Sequence, residues 1–318
     1  MVDAPLFDSY DSMMHSDWLA ETKQLLSKNQ WPSECVRCKE QEGIGLTSDR
    51  LYWIDYHGIL LKDHGSDYLV VSMMLDNVCN TACQFCSPWI SSKIAALNNS
   101  PFGIRQATSY QDKLPWDRIT QIDLEGGEPS NSKNVKQLLK NLPQRVRTVK
   151  IYTNARSFLD ELISVAEANI EIQISISLDG VGSVQEYVRW PTQWDEFCAT
   201  VEQYKQLHTQ FPELVNLCFK TTLCAFNVFD ISNIVDFAAK QNIRHTMSQL
   251  AYPLVLQIAA SNIYTIAAKE KLQHCGNEVL EKLALGIATK GTNQQDIDRY
   301  IVKQDSLRQI RIKDYLHL

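Results

Sequence analysis

The chain has 318 residues, of which 44% are hydrophobic and 21% are charged, and this is the composition of an ordinary soluble globular protein. Its formal net charge of −6 gives no electrostatic footprint for nucleic acid, so a nucleic-acid partner is disfavoured. No apolar run approaches the length of a membrane span, and the first residues lack the pattern of a secretion signal. Nine cysteines, three of them in one ligand-like stretch, fit a reducing compartment, so we expect a cytoplasmic protein with no membrane partner.

Residues 1–66 are predicted to form a small N-terminal extension, which begins irregularly and continues as a helix capped by Ser16 or Asp17. A proline then breaks the chain ahead of Cys35 and Cys38. Their C-x2-C spacing is that of a metal hook, but two ordinary cysteines in a loop would give the same pattern. Taken alone, the residues leave both interpretations open.

From residue 67 to residue 253 the pattern alternates between strands and helices, which is typical of βαβ units and a parallel sheet. Six strands are predicted, at 68–75, 119–124, 146–152, 170–178, 215–224 and 244–250. Helices are predicted between them at 132–142, 158–168, 194–208 and 231–241. Six such units predict an α/β fold of the open, partial (β/α)6 TIM-barrel type. Its site is expected where the carboxyl ends of the strands gather.

Residues 254–318 are predicted to form a helical C-terminal extension, because apolar residues recur there at helical intervals. We expect these helices to pack against the open edge of the barrel and to take no part in chemistry, apart from a candidate ligand at Cys275. Three cysteines within the barrel are expected to be buried as small apolar residues, namely Cys198, Cys218 and Cys224.

The densest chemical signal is the C-x3-C-x2-C spacing of Cys79, Cys83 and Cys86, directly behind the first predicted strand. A loop can point three neighbouring thiols at one centre, and thiolates are soft ligands for zinc or iron–sulfur clusters. A four-iron cluster normally takes four protein ligands, so three would leave one iron free to bind something else. The alternative is a zinc site completed by a distant His or Cys, although zinc sites favour paired hooks.

With Phe85 just before the last cysteine, this triplet resembles the signature of the radical S-adenosylmethionine (SAM) enzymes. The resemblance implies a [4Fe-4S] cluster on the three cysteines and SAM on the open iron. In that family, reductive cleavage of SAM yields a 5′-deoxyadenosyl radical, which abstracts hydrogen from a substrate. The cofactors expected from the resemblance are therefore the cluster and SAM.

Two further segments resemble landmarks of the same family. Gly126, Gly127 and Glu128 follow the second strand and resemble the GGE motif, whose backbone and carboxylate hold the SAM amino group. Asn154 closes the third strand and resembles the Thr-Asn pair that faces the SAM pocket, although a polar strand-end turn would look similar.

The fourth strand places Ser175, Ser177 and Asp179 on one face, because alternate residues of a strand share a side. The resemblance implies that a serine here binds the SAM ribose, with Ser177 as the first candidate. Arg189 resembles an arginine that pairs with the methionine carboxylate, for which a planar guanidinium is suited. Thr222, late in the fifth strand, is a candidate for the adenine end.

The segment that carries Cys35 and Cys38 resembles one found before the core in phage and bacterial radical SAM proteins, some with an auxiliary-cluster region of the twitch or SPASM type. In those relatives a cysteine-rich C-terminal extension supplies the ligands, whereas this chain offers only Cys275 beyond the core. An auxiliary cluster here would need distant partners such as Cys275 or His274. A zinc clip and an orphaned relic are the alternatives.

The sequence therefore predicts a radical SAM enzyme with a peptide or protein substrate. A nucleotide or other small molecule as substrate is the alternative within the family. A non-catalytic zinc-binding interaction protein is the alternative outside it. The resemblance also implies a partner that supplies electrons, which is a reductase, a flavodoxin or a ferredoxin.

Overall fold

The computed structural model describes residues 7–43, 48, 50, 51, 53–55, 68–104, 113–250, 252–257, 266, 269, 270, 272, 273, 281 and 294–316. The two candidate partners of the C-x2-C hook, His274 and Cys275, lie outside this part of the chain. None of the helices within these ranges is both long enough and apolar enough to cross a membrane.

Two compact units make up the chain. The first comprises residues 1–71, 107–121 and 143–146, and the second comprises residues 72–106, 122–142 and 147–318. All candidate site residues from Cys79 to Thr222 belong to the second unit, whereas Cys35 and Cys38 belong to the first.

The first unit contains short helices, which are α1 (Tyr10–Met14), α2 (Asp17–Ser27) and α3 (Val36–Gly43). Ser16 caps α2 as predicted, because its hydroxyl accepts a hydrogen bond of 3.2 Å from the Leu19 amide. Helix α1 was not predicted, since five residues carry almost no periodic signal. Cys35 ends a 3-10 turn and Cys38 lies within α3, so the alternative of two ordinary cysteines in a loop does not describe the local structure of this pair.

Six strands form one sheet in the order β1-β2-β3-β4-β5-β6, so β1 and β6 are its two edges and the sheet is open. The pairs β3–β4, β4–β5 and β5–β6 are parallel. The strands are β1 (Leu69–Met73), β2 (Ile119–Leu124), β3 (Thr148–Thr153), β4 (Glu171–Ser177), β5 (Val215–Leu223) and β6 (Arg244–Gln249). This confirms the predicted open α/β sheet of the partial-barrel type.

Helices follow the strands along the chain, as the alternating pattern predicts. They are α4 (Ser92–Leu97), α5 (Lys133–Lys140), α6 (Glu161–Glu167), α7 (Ser183–Val188), α8 (Trp194–Gln210), α9 (Ile231–Lys240) and α10 (Gln294–Arg308). The prediction missed α4 and α7, which have six residues each and are too short for a clear helical period.

The strands of the second unit bury one face and keep polar residues on the other. Ile151, Ile174 and Phe219 are fully or almost fully buried, as expected for strands covered by helices. On the opposite face, the parallel register places Tyr152 beside Ser175. Polar side chains therefore share one face of the sheet, and the candidate site residues lie where these strands end.

Part of the C-terminal extension packs under the strand ends. Ile297 and Ile301 of α10 are buried in one apolar cluster with Tyr187 and Phe226. After α10 the chain makes a 3-10 turn, Ile312–Asp314. A helix within this extension was predicted, and it was expected only to pack against the open edge of the barrel. Helix α10 also contacts residues 82–84, because Arg308 donates to the Ala82 carbonyl and Tyr300 donates to the Gln84 carbonyl.

Candidate functional site

The three cysteines lie in the loop between β1 and α4, which we call the cysteine loop (residues 79–86). Cys83 is buried, and Cys79 and Cys86 are half-buried. The Thr81 hydroxyl lies 3.2 Å from the Cys79 sulfur and accepts from the Cys83 thiol at 3.5 Å, so one side chain joins two of the thiols. Thr81 therefore links Cys79 and Cys83 directly.

Two thiols of this loop, Cys79 and Cys86, are held in an environment that resists their ionisation. Burial, followed by the neighbouring Cys83, raises the pKa of Cys79 to about 11. Burial, followed by Cys83 and Cys79, also raises the pKa of Cys86. Metal coordination deprotonates thiols and supplies the compensating positive charge, so a cationic centre would relieve this conflict.

The three thiols of the cysteine loop are the donors that a metal centre at this position would use. Within the described part of the chain, no group of three or more His, Cys, Asp or Glu side chains is arranged to hold one metal ion. The single-zinc alternative therefore has no ligand set among those residues. A four-iron cluster takes a separate thiolate on each ligated iron, and this loop supplies three.

The Gly126-Gly127 turn lies against the backbone that leads into the cysteine loop. Gly126 has φ +110°, and a side chain there would overlap Met74. A side chain on Gly127 would overlap the backbone carbonyl of Val78, to which the Glu128 amide donates at 2.7 Å. The close backbone approach that the paired glycines allow is therefore, in this structure, an approach to the chain itself.

The Glu128 carboxylate is buried and joins three parts of the site. It accepts hydrogen bonds from the Thr153 hydroxyl and the Asn154 amide, both at 2.7 Å, and from the Ser130 hydroxyl at 3.0 Å. Burial raises the pKa of Glu128, and the bond from the Asn154 amide acts in the opposite direction. The hydrogen bonds by which the Glu128 carboxylate joins the Gly-Gly turn to the end of β3 could not be predicted from the sequence.

Asn154 links the hydrogen bonds around the Glu128 carboxylate to the cysteine loop. Its side-chain amide donates to the Asn80 side-chain oxygen at 2.8 Å and to the Thr81 hydroxyl at 3.2 Å. Since Thr81 also contacts Cys79 and Cys83, the predicted Thr-Asn landmark and the thiols lie in one continuous hydrogen-bonded network.

A buried ion pair lies on the other side of Cys83. Arg189 donates to Asp179 at 2.5 Å and also donates to the Cys83 sulfur at 3.7 Å. Its guanidinium lies 5.8 Å from the centre of the Phe85 ring. Asp179 accepts as well from the Thr222 amide at 2.6 Å. Burial alone would lower the pKa of Arg189, but Asp179 and Cys83 raise it, so this cation stays charged.

Ser175 and Ser177 lie on β4, between these two networks. The Ser177 carbonyl accepts from the Gln185 side chain at 3.1 Å, which fixes the strand end. Within the described residues, the two serine hydroxyls form no hydrogen bond. They therefore keep their capacity to bind polar groups of a ligand.

The C-x2-C pair of the first unit has surroundings of its own. Burial, followed by the proximity of Cys38, raises the pKa of Cys35. The Arg50 guanidinium lies 4.9 Å from the centre of the Trp31 ring and pairs with Glu42. No described residue completes a metal site with the two thiols.

Of the three cysteines expected in the core, Cys224 is fully buried, while Cys198 and Cys218 are only half-buried. The core prediction is therefore right for Cys224 and too strong for the other two. Cys218 instead lies 3.6 Å from the Thr246 hydroxyl on the polar face of the sheet.

Comparisons with known proteins identify proteins that are similar to this chain. No family model matches the chain. The chain is 25% identical over 128 residues to the sporulation killing factor maturation protein SkfB of Bacillus subtilis (strain 168), and this match covers 38% of the chain and 29% of SkfB.

The solved structures that are similar to this chain include SuiB of Streptococcus suis bound to S-adenosylmethionine. The sequence identity is 18% and the TM-score is 0.42, and the match covers 74% of this chain and 54% of SuiB. A second is native anSMEcpe with bound AdoMet, with 13% identity, 59% of this chain and 53% of anSMEcpe covered, and a TM-score of 0.42. The chain thus spans about half the length of these solved relatives and less of SkfB.

Proposed function

We infer that this protein is a radical SAM enzyme, because its sequence relative confirms the resemblance that the cysteine spacing predicts. One observation carries the inference further. Landmark residues that are far apart in the chain, among them Cys79, Asn154, Arg189 and Thr222, belong to two hydrogen-bonded networks that meet at Cys83.

We propose that Cys79, Cys83 and Cys86 ligate three irons of a [4Fe-4S] cluster and leave the fourth for SAM. When bound and reduced by an external donor, this group would supply one electron to SAM, which would break into methionine and a 5′-deoxyadenosyl radical; the radical would take a hydrogen atom from the substrate to give 5′-deoxyadenosine and a substrate radical. The protein positions both partners and keeps water out of the site. Arg189 places a positive charge beside the Cys83 sulfur, where it offsets the negative charge of the thiolates.

The same geometry supports a proposal for the SAM contacts. The Gly126-Gly127-Glu128 turn faces the amino group, and the Glu128 carboxylate uses acceptor capacity that its four protein donors leave open. Arg189 binds the methionine carboxylate with the donors that do not serve Asp179.

The remaining SAM contacts come from the strand ends. Ser177, Ser175 and Asn154 face the ribose, because the two serine hydroxyls keep their hydrogen-bonding capacity. Thr222 lies near the adenine, where Asp179 holds the strand end in place through the Thr222 amide.

The substrate is proposed to be a peptide or protein, because the sequence relative SkfB is named for the maturation of a killing factor. A nucleotide or small metabolite is the second candidate for the same site. Reduction of the cluster requires an electron donor, for which a flavodoxin, a ferredoxin or a dedicated reductase is suited, and oxygen-sensitive clusters fit a cytoplasmic location.

Cys35 and Cys38 are proposed as ligands of an auxiliary iron–sulfur centre of the twitch type or of zinc. This remains a separate proposal, since its partners would come from outside the described residues. Two four-iron clusters would give about eight irons per chain, and one would give about four. Replacing both cysteines by Ala should lower the first count and leave the second unchanged.

The decisive experiment is anaerobic reconstitution followed by iron and sulfide analysis and a dithionite-driven assay of 5′-deoxyadenosine. Cys83→Ala should lose most of the cluster and abolish 5′-deoxyadenosine formation, because the cluster loses a ligand. The matched control is Cys198→Ala, in helix α8, which should retain both. Unchanged formation in Cys83→Ala would refute the ligand assignment, and zinc without labile sulfide in the wild type would end the enzyme proposal.

A further inference from the structure

The backbone of the cysteine loop is held from outside, one carbonyl after another. Five consecutive carbonyls, from Asn80 to Gln84, each accept a hydrogen bond from a side chain elsewhere in the fold. The donors are Arg156 to Asn80 at 2.9 Å, Ser91 to Thr81 at 2.8 Å, Arg308 to Ala82 at 2.9 Å and to Cys83 at 3.3 Å, and Tyr300 to Gln84. The loop thus has a fixed backbone whatever its sulfurs bind.

Two of these five carbonyls depend on one residue of the C-terminal helix. Arg308 donates to the Ala82 carbonyl from two nitrogens, at 3.0 and 2.9 Å, and to the Cys83 carbonyl from the second of them. The planar fork of arginine suits two adjacent acceptors, and lysine has no such geometry. A third nitrogen is held by the Gln304 side chain at 2.5 Å, which fixes the fork.

Arg308 is also a buried cation, 4% exposed, and within the described part of the chain it forms no direct ion pair with a carboxylate. Asp305, three residues earlier on the same helix, acts on it electrostatically, but the Asp305 carboxylate accepts hydrogen bonds from the Tyr187 hydroxyl at 3.0 Å and the Ile312 amide at 2.7 Å. A buried charge is costly unless opposite charges offset it. Arg308 binds the backbone of Cys83, one of the three cluster ligands proposed above, so an anionic cluster on this loop would supply further compensation.

We propose that Arg308 is a positioning residue for the cluster, which fixes the loop at Cys83 and supplies the positive charge that stabilises the reduced state. This rests on the proposed function, since it requires a cluster on the three cysteines. Reduction adds a negative charge, so a nearby fixed cation favours it, and removing the cation should make the reduction potential more negative. The C-terminal helix is then part of the cluster site.

The test compares Arg308→Gln, which removes the charge, with Arg308→Lys, which keeps it without the fork. The control is Arg299→Gln on the same helix, where the side chain is 73% exposed. After anaerobic reconstitution and a circular-dichroism check of folding, the midpoint potential is measured by electron paramagnetic resonance titration on samples of equal iron content. The rate of iron loss to a chelator is measured in parallel.

Arg308→Gln should disfavour reduction by at least tenfold, which is about 59 mV more negative for a one-electron couple. Arg308→Lys should stay closer to the wild-type potential but lose iron several-fold faster, and Arg299→Gln should match the wild type in both. A wild-type potential in Arg308→Gln would overturn the charge role. If that variant does not fold, an unchanged rate of iron loss in Arg308→Lys would overturn the positioning role. A wild type without iron and sulfide would instead refute the proposed function.

Discussion

The buried pair of Asp179 and Arg189 gives the sharpest stability prediction. Asp179 is fully buried and the Arg189 side chain is 11% exposed, and the two meet at 2.5 Å. In Asp179→Asn the shape of the side chain is kept, but its charge is lost and an amide group can face the guanidinium. Removing one member of a buried ion pair leaves the other charge uncompensated, which typically costs about 3–5 kcal/mol. We expect a loss of that size in the free energy of unfolding.

The double variant Asp179→Asn with Arg189→Met separates this mechanism from a simple loss of contacts. It removes the orphaned cation as well, and apolar replacement of a whole buried pair is often neutral or stabilising. The double variant should therefore be more stable than Asp179→Asn alone, which is the opposite of additive damage. The control is Asp296→Asn, whose partner Arg299 is 73% exposed, and it should change stability by less than about 1 kcal/mol.

The measurement is anaerobic urea unfolding of the metal-free protein, followed by circular dichroism, with slopes compared so that a change in midpoint reports stability. The reasoning fails if Asp179→Asn lies within about 1 kcal/mol of the wild type, since a buried orphan charge would then cost nothing. It also fails if the double variant is less stable than the single one.

Two further predictions concern the Gly-Gly turn and the hydrogen-bonded Glu128 carboxylate beside it. Glu128→Gln places an amide donor against donors of Thr153 or Asn154 and should cost about 1–3 kcal/mol in urea unfolding. Burial raises the pKa of Glu128 above its ordinary value of 4.5, so its contribution to the free energy of unfolding is full below about pH 4.5 and declines as the pH rises through the folded-state pKa. The difference in unfolding free energy between the wild type and Glu128→Gln should therefore become smaller as the pH rises. A difference that grows with pH would contradict this reasoning. Gly127→Ala should lower the melting temperature and the amount of iron bound after reconstitution, because the added methyl group overlaps the Val78 carbonyl. The control is Gly43→Ala, since a methyl group at Gly43 would meet no atom within 4 Å. Equal melting temperatures and iron contents in the two variants would refute the argument.

The sequence predicted the parts of the site that depend on local spacing. The C-x3-C-x2-C triplet requires a loop, and the Gly-Gly pair requires backbone that no other residue tolerates at Gly126. The strands were recognisable because buried parallel strands are rich in Val and Ile. What the sequence could not predict was which side chains reach the loop, since the Arg308 contact with Ala82 spans 226 residues.

One signal for Arg308 was present in the chain, although it was not used. Ile297, Ile301, Asp305 and Arg308 recur at spacings of three and four and therefore share one face of helix α10, and all four are buried. Charged residues on the apolar face of a helix require partners. Asp305 finds them in the Tyr187 hydroxyl at 3.0 Å and the Ile312 amide at 2.7 Å, and Arg308 finds them in the cysteine loop.

Two arginines contact Cys83, the proposed cluster ligand, in different ways. Arg189 contacts the sulfur and forms an ion pair with Asp179, so the negative charge of Asp179 partly neutralises it. Arg308 approaches the carbonyls of Ala82 and Cys83 and forms no such pair within the described residues. The negative charge of Asp179 offsets much of the field that Arg189 exerts on an added electron, whereas Arg308 has no directly paired carboxylate among the described residues to offset its field. The control over reduction should therefore lie with the distant C-terminal residue, and the family landmark Arg189 should serve mainly to bind SAM.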